Sequence, residues 1–301
     1  MQSLFHGSYV ALPSPFHEGR LDLEAFEELI EFHAAHETDG IVVAGTTGES
    51  TTMNEFERRS LIHAAVDFSH GRLPVIAGVG TNCTQSTVEL ARFADAAGVD
   101  GLMVVTPYYN RPSRRGLLTH FGCVADSTDS PILLYNVPSR TGSDLDPEIV
   151  CELAARHESI VAIKEASGEV DRVPRICGAS DLAVLCGEDR LMRPMALFGA
   201  VGAVNVTGNL APDEVSELLR IGRQGGDASR ADELETQLSA LIRALFIEVN
   251  PVPLKTALAH LGRCREEVRS PLAPLEDDHR EQLIALLEEH PLLRGEVRTQ
   301  V

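Results

Sequence analysis

A chain of 301 residues, 44% hydrophobic and 24% charged, has the composition of a globular protein and room for one barrel of about 250 residues plus an appendage, or for two ordinary domains. Its formal net charge of −19 argues against a nucleic-acid or anionic-membrane surface and makes any anionic ligand depend on local cations. No apolar run of roughly 18 residues occurs, Met1–His6 lacks the pattern of a signal peptide, and the cysteines (Cys83, Cys123, Cys151, Cys177, Cys186 and Cys264) form no CxxC pair or cluster with His; the expectation is a cytoplasmic protein with reduced thiols and no metal.

In chain order, a short apolar run alternates with a longer amphipathic one. The strand at Ser8–Leu12 is followed by a helix over Asp22–His36, whose stripe is Leu23, Phe26, Ile30 and Ala34. Gly40–Gly45 leads to Asn54–Ser69, where Asn54 and Glu57 have the spacing of a capping box. Pro74–Gly80, Gly101–Pro107, Pro131–Pro138, Ile160–Ala166, Leu182–Gly187 and Gly202–Thr207 complete eight strands. Between and after them lie helices at Thr84–Ala97, Gly116–Ser127, Pro147–Arg156, Val170–Gly178, Arg190–Phe198 and Pro212–Gln224, with Pro147 and Pro212 at first-turn positions. The strands are nearly continuous in Val, Ile and Leu, as strands covered on both faces must be. Eight evenly spaced βα units predict a (β/α)8 barrel over residues 1–225; an open, doubly wound sheet fits the spacing less well. Ala228–Phe246, Pro253–Leu261 and Asp277–Glu289 predict a C-terminal helical region over residues 226–301.

Barrel active sites form at the C-terminal ends of the strands, so the residues there are the candidates. The second strand ends in Gly45-Thr46-Thr47-Gly48-Glu49-Ser50, whose glycines and hydroxyls let backbone N–H groups approach an anion, though an ordinary strand-to-helix turn reads the same way. Of four tyrosines, Tyr108, Tyr109 and Tyr135 lie at strand ends, where a phenol can relay protons or simply pack the rim. The sixth strand carries Lys164 within Ile160–Ala166. A lysine inside a buried strand is rare, and burial favours the neutral amine that attacks a ketone. A structural pair with Glu165 is the alternative, but consecutive strand residues face opposite ways, so Glu165 should point out of the barrel when Lys164 points in. Glu188 and Asp189 follow the seventh strand and read as partners of a helix dipole, with no metal expected.

Together these segments resemble the dihydrodipicolinate synthase / N-acetylneuraminate lyase family, from about Gly7 to Glu289. The motifs that carry the likeness are Gly45–Ser50, Val105–Tyr109, Leu134–Gly142, Ile163–Ala166 and Asn250–Lys255. The resemblance implies a Schiff-base lyase without a cofactor. Lys164 would form an imine with pyruvate, and the derived enamine would add to L-aspartate 4-semialdehyde, a step of diaminopimelate and lysine synthesis. It further implies that Tyr135, Thr46 and Tyr109 form a proton relay, with Tyr109 crossing from a neighbouring subunit of a homotetramer. Thr47 would hold the pyruvate carboxylate, Arg140 the aldehyde substrate's carboxylate, and Gly187 and Val204 would line the pocket. The chain departs from the family's pattern at Pro13-Ser14-Pro15 and Asn205, neither at the proposed chemistry. It also carries Glu55, Arg58 and Ser86 where lysine-inhibited members carry histidines and a glutamate, while Asn82 and Tyr108 remain, which implies weak or absent lysine feedback. Within the family an aldolase for sugar acids such as N-acetylneuraminate or 2-keto-3-deoxygluconate is the rival, with less need of a cation at Arg140. A catalytically silent metabolite-binding protein is the rival of another class, and would require a broken site.

Overall fold

Eight parallel strands close on themselves in chain order: β1 (Gly7–Ala11), β2 (Gly40–Val43), β3 (Val75–Gly78), β4 (Gly101–Val105), β5 (Ile132–Asn136), β6 (Ile160–Glu165), β7 (Ala183–Cys186) and β8 (Gly202–Asn205), with β8 pairing back to β1. A computed structural model describes residues 4–293 of the chain. Helices α1 (Leu23–Ala34), α2 (Glu55–Ser69), α3 (Thr84–Ala96), α4 (Arg114–Ala125), α5 (Pro147–Arg156), α6 (Arg172–Cys177), α7 (Met192–Leu197) and α8 (Pro212–Gln224) follow the strands in turn. The fold is therefore the (β/α)8 barrel, and the open-sheet alternative falls because β1 is hydrogen-bonded on both sides.

Local chemistry sets the boundaries. Asn54 and Glu57 close the capping box of α2 reciprocally. Helix α4 starts two residues earlier than its apolar periodicity indicates, because Ser113 accepts from the Gly116 N–H as its N-cap. Strand β2 stops at Val43, since Ala44 turns to φ 52°. The segment read as one helix over Arg190–Phe198 is a 3₁₀ turn, Asp189–Leu191, and then α7; Pro194 lies in the first turn of α7, where its missing N–H costs nothing. Besides the short 3₁₀ turns Ser50–Thr52, Thr207–Asn209 and Pro291–Leu293, two small elements lie outside the sequence reading. One is a two-residue hairpin, Phe16–His17 with Arg20–Leu21, turned by positive φ at Glu18 and Gly19. The other is one helical turn, Pro138–Thr141, ended by Gly142 in the left-handed region.

Strand alternation divides the interior into two cores. Phe5, Tyr9, Val42, Ile76, Met103, Leu133, Ala162, Leu185 and Val204 are among the side chains filling the lumen. Their neighbours along each strand, such as Val10, Ile41, Ile163 and Val184, pack outward with the helices. After α8 the chain continues as α9 (Ala228–Leu245), α10 (Val252–His260) and α11 (Asp277–Glu289). Helix α10 is buried over nearly its whole length, with Lys255 as its one charged residue. Among the described residues no helix is long and apolar enough to cross a membrane, and no group of three metal-ligating side chains forms.

Candidate active site

The lumen is plugged from below by Phe5 and Tyr9 and is open above, at the C-terminal ends of the strands. There a cavity of about 480 Å³ is lined by Thr46, Thr47, Tyr135, Arg140, Lys164, Gly187 and Val204, so seven of the eight sequence-derived candidates meet on one surface. Lys164 stands in register with Tyr135 of β5 on one side and Leu185 of β7 on the other. Its flanking lumen neighbours are Ala162 and Ala166, small residues that leave its stem room to rise. The side chain is only 7% exposed, and its Nζ lies 4.2 Å from the centroid of the Tyr135 ring. No carboxylate pairs with it among the described residues.

Glu165 faces the other way, as alternation requires, but into protein and not solvent. Its carboxylate accepts from the Ser167 N–H at 2.7 Å and from Asn136 Nδ2, which also donates to Asp144; Arg172 in turn pairs with Asp144. Burial pushes the Glu165 carboxyl up, and the Ser167 and Asn136 hydrogen bonds work against that. This network ties the ends of β5 and β6 together behind Tyr135 and Lys164.

Gly187 is required by its neighbours. A Cβ there would sit 2.7 Å from Ala166 Cβ and 3.0 Å from the Cε and Cγ of Lys164. Asp189 stands in the first turn of the 3₁₀ helix Asp189–Leu191 and also has a second role. Buried, it accepts hydrogen bonds from Val206 N–H, Thr207 N–H and the Thr207 hydroxyl, which latches the end of β7 to the end of β8. Glu188 pairs with Arg190 at the surface.

The Thr46–Glu49 turn is held from a distance. Glu49 adopts φ 51°, a conformation costly for a non-glycine residue unless its surroundings enforce it. Here its carboxylate receives Lys255 Nζ at 2.6 Å and the Arg269 N–H at 2.9 Å, and both cations lie over the Phe16 ring. Ser14 donates to the Gly48 carbonyl at 2.8 Å, so the departure at Pro13–Pro15 keeps a hydroxyl that braces this turn. Asn205 is likewise structural, bonding Ser8, Tyr9 and Gly208. Asn250, from the segment before α10, donates to Thr47 Oγ1 and accepts from Arg140 with its backbone oxygen. The chain contains only two lysines, and both are buried: one free of carboxylates in the barrel mouth, the other locked to Glu49.

Tyr109 is the exception among the candidates. Its side chain is 89% exposed on a loop where it and Arg111 both have positive φ, and it lines neither the main cavity nor the adjoining one of about 290 Å³. The single chain does not bring it to Lys164. Sequence reasoning missed the roles of Glu49, Asn250, Lys255 and Arg269, although the Asn250–Lys255 motif had been visible, and missed Ile242, Arg243 and Phe246 of the C-terminal region, which also line the cavity.

Residues 4–290 match the model of the dihydrodipicolinate synthetase family. The chain belongs to this family. It is 44% identical to the 4-hydroxy-tetrahydrodipicolinate synthase of Aquifex aeolicus, over 96% of this chain and 99% of the relative. The corresponding enzyme of Geobacter metallireducens is 42% identical over 96% of this chain and all of the relative. Among solved structures, dihydrodipicolinate synthase from Aquifex aeolicus superposes with a TM-score of 0.94, covering 96% of this chain and 99% of that one. A chloride-inhibited dihydrodipicolinate synthase from Acinetobacter baumannii, solved with pyruvate, superposes at 0.90 with 37% identity, covering 94% and 97%.

Proposed function

We infer that this family member is a 4-hydroxy-tetrahydrodipicolinate synthase, a Schiff-base lyase that condenses pyruvate with L-aspartate 4-semialdehyde in lysine and diaminopimelate synthesis. The observation that carries the chemistry is Lys164, unpaired and in contact with Tyr135 at the mouth of the lumen. The Lys164 amine adds to C2 of pyruvate, and loss of water leaves an imine that acts as an electron sink. Removal of a methyl proton gives the enamine, whose carbon attacks the aldehyde. The amine of the condensed substrate then displaces Lys164, which closes the ring and frees the enzyme. Tyr135 moves protons in these steps, supported by Thr46 beside it and by Tyr109 of a second copy. Thr47 holds the pyruvate carboxylate and Arg140 that of the semialdehyde. Arg140 has no carboxylate partner among the described residues and lines both cavities, which suits it to capture an anion in a protein of net charge −19.

Because Tyr109 lies outside the cavity of its own chain, this reading requires at least a dimer, and we propose a homotetramer. The setting is proposed to be cytoplasmic. Turnover of pyruvate and L-aspartate 4-semialdehyde, coupled to the reductase that consumes the product, tests the assignment. Cleavage of N-acetylneuraminate or 2-keto-3-deoxygluconate with no semialdehyde turnover would transfer it to a sugar-acid aldolase.

Two results are expected of the site. Gly187→Ala should slow trapping of the pyruvate imine by roughly ten-fold or more, since the added methyl would lie 2.7 Å from Ala166, closer than real Cβ atoms come, and press on the Lys164 stem at 3.0 Å. A wild-type trapping rate in single-turnover mass spectrometry would show that Lys164 does not need this space. L-Lysine should be a weak inhibitor or none. Glu55 pairs with Arg59 at the surface, Arg58 bonds the Gly78 carbonyl and contributes positive charge to the smaller cavity beside Tyr108, and residue 86 is a serine with no carboxylate for an amine. Inhibition at submillimolar lysine in the coupled assay would contradict this.

A further inference from the structure

We propose that Asn250 is a positioning residue that turns the Thr47 hydroxyl proton toward the pyruvate carboxylate. The proposal rests on the assignment of Thr47 to that carboxylate. Thr47 and Asn250 are 3% and 6% exposed, and Asn250 Nδ2 donates to Thr47 Oγ1 at 2.9 Å. A threonine hydroxyl has one proton and two lone pairs. With the amide N–H on one lone pair, the proton cannot also point at Asn250. Among the described residues no protein group accepts it, and Thr47 lines the cavity that holds Lys164. The proton is therefore offered to the cavity, and the chain of donors from Nδ2 through Oγ1 strengthens that offer by polarisation.

The arrangement has further support. The backbone oxygen of Asn250 receives Arg140 Nη2 at 3.4 Å, so one residue steadies both groups assigned to substrate carboxylates. Five residues on, Lys255 is locked to Glu49, two residues past Thr47. The two contacts fasten the 250–255 segment to the 47–49 turn in a fixed register. An amide is also a suitable neighbour, because it orients the hydroxyl without adding a charge that competes for Arg140 or repels an anion.

Asn250→Asp separates this role from packing, because it changes shape little and reverses the hydrogen bond. A carboxylate accepts from Thr47, which turns the proton away from the cavity. Asn250→Ala removes the donor and leaves the hydroxyl free to rotate. Each is made with and without Thr47→Val. The readouts are the pyruvate concentration that half-saturates borohydride trapping, KM and kcat for each substrate, and the mass fraction trapped at saturating pyruvate as a measure of folded, competent protein. Asn250→Ala is expected to raise the pyruvate requirement by about ten-fold, and Asn250→Asp by several-fold more, with kcat changing less than KM. In the Thr47→Val background the gap between Asp and Ala should close to within about two-fold, the mark of an effect routed through one hydroxyl.

Three results would overturn the proposal. Wild-type pyruvate dependence in Asn250→Asp would mean that the side chain accepts from Thr47. A gap that persists in Thr47→Val would mean that charge near Arg140, not the hydroxyl, is responsible. A parallel loss of kcat, trapped fraction and both KM values in every variant would make Asn250 a packing residue. Failure of the functional assignment itself is distinguishable in the wild-type protein: no trapped pyruvate removes the Schiff-base reading, and trapping without semialdehyde turnover moves the assignment to a sugar-acid aldolase.

Discussion

Lys164→Ala is expected to abolish the borohydride-stable pyruvate adduct and to lower kcat by on the order of 10⁴-fold or more, the scale seen when a covalent nucleophile is removed. Lys164→Arg is expected to fail equally. A guanidinium retains the positive charge and much of the packing but stays protonated, so it cannot add to a ketone. The pair of variants separates nucleophilic chemistry from electrostatics: if Lys164 served only as a cation in the barrel mouth, arginine would recover a substantial part of the rate. The geometry argues for the nucleophile. The side chain is buried, rises between two alanines, touches the Tyr135 ring and forms no ion pair among the described residues. Steady-state assay together with peptide mapping after trapping reads both effects, and the mapping is simple in a chain with two lysines.

The second large effect is expected at the other lysine. Lys255→Met keeps the length of the side chain and removes the charge, leaving Glu49 at 1% side-chain exposure with only the Arg269 N–H on its carboxylate. Breaking one side of a buried ion pair costs about 3–5 kcal/mol. The urea midpoint should fall accordingly, and because Glu49 is held at φ 51° by this contact, the Thr46–Thr47 turn should also bind pyruvate less well. Glu49→Gln combined with Lys255→Met should recover more than half of the lost stability, since a neutral pair no longer contains a stranded charge. A single variant within about 1 kcal/mol of wild type in equilibrium unfolding would show that the pair does not hold the turn.

What could be read from the chain, and what could not, follows from the range of the interactions. Strands covered on both faces leave continuous apolar runs, so all eight were located to within a few residues and their even spacing indicated closure. Lys164 stood out because it interrupts such a run, and alternation correctly sent Glu165 to the opposite face. That Glu165 lands in a buried network with Asn136, Asp144 and Arg172 depends on how separate units dock, which periodicity does not encode. The hairpin at Phe16–Leu21 has two residues per strand, too few to show a period. Asn250 lies 203 positions from Thr47, and Lys255 lies 206 from Glu49, so nothing local marks either as a neighbour of the site. Family likeness flagged the Asn250–Lys255 motif without saying what it touches. The part proposed for Tyr109 has no counterpart within one chain, where that residue is 89% exposed.

The most direct test of the central claim is the intact mass of the protein after incubation with pyruvate and sodium borohydride, followed by mapping of the modified peptide. The account predicts one reduced pyruvate per chain, carried on Lys164, with Lys255 unmodified in its buried pair. An unmodified mass, or an adduct on any other residue, would make Lys164 structural and contradict the Schiff-base mechanism.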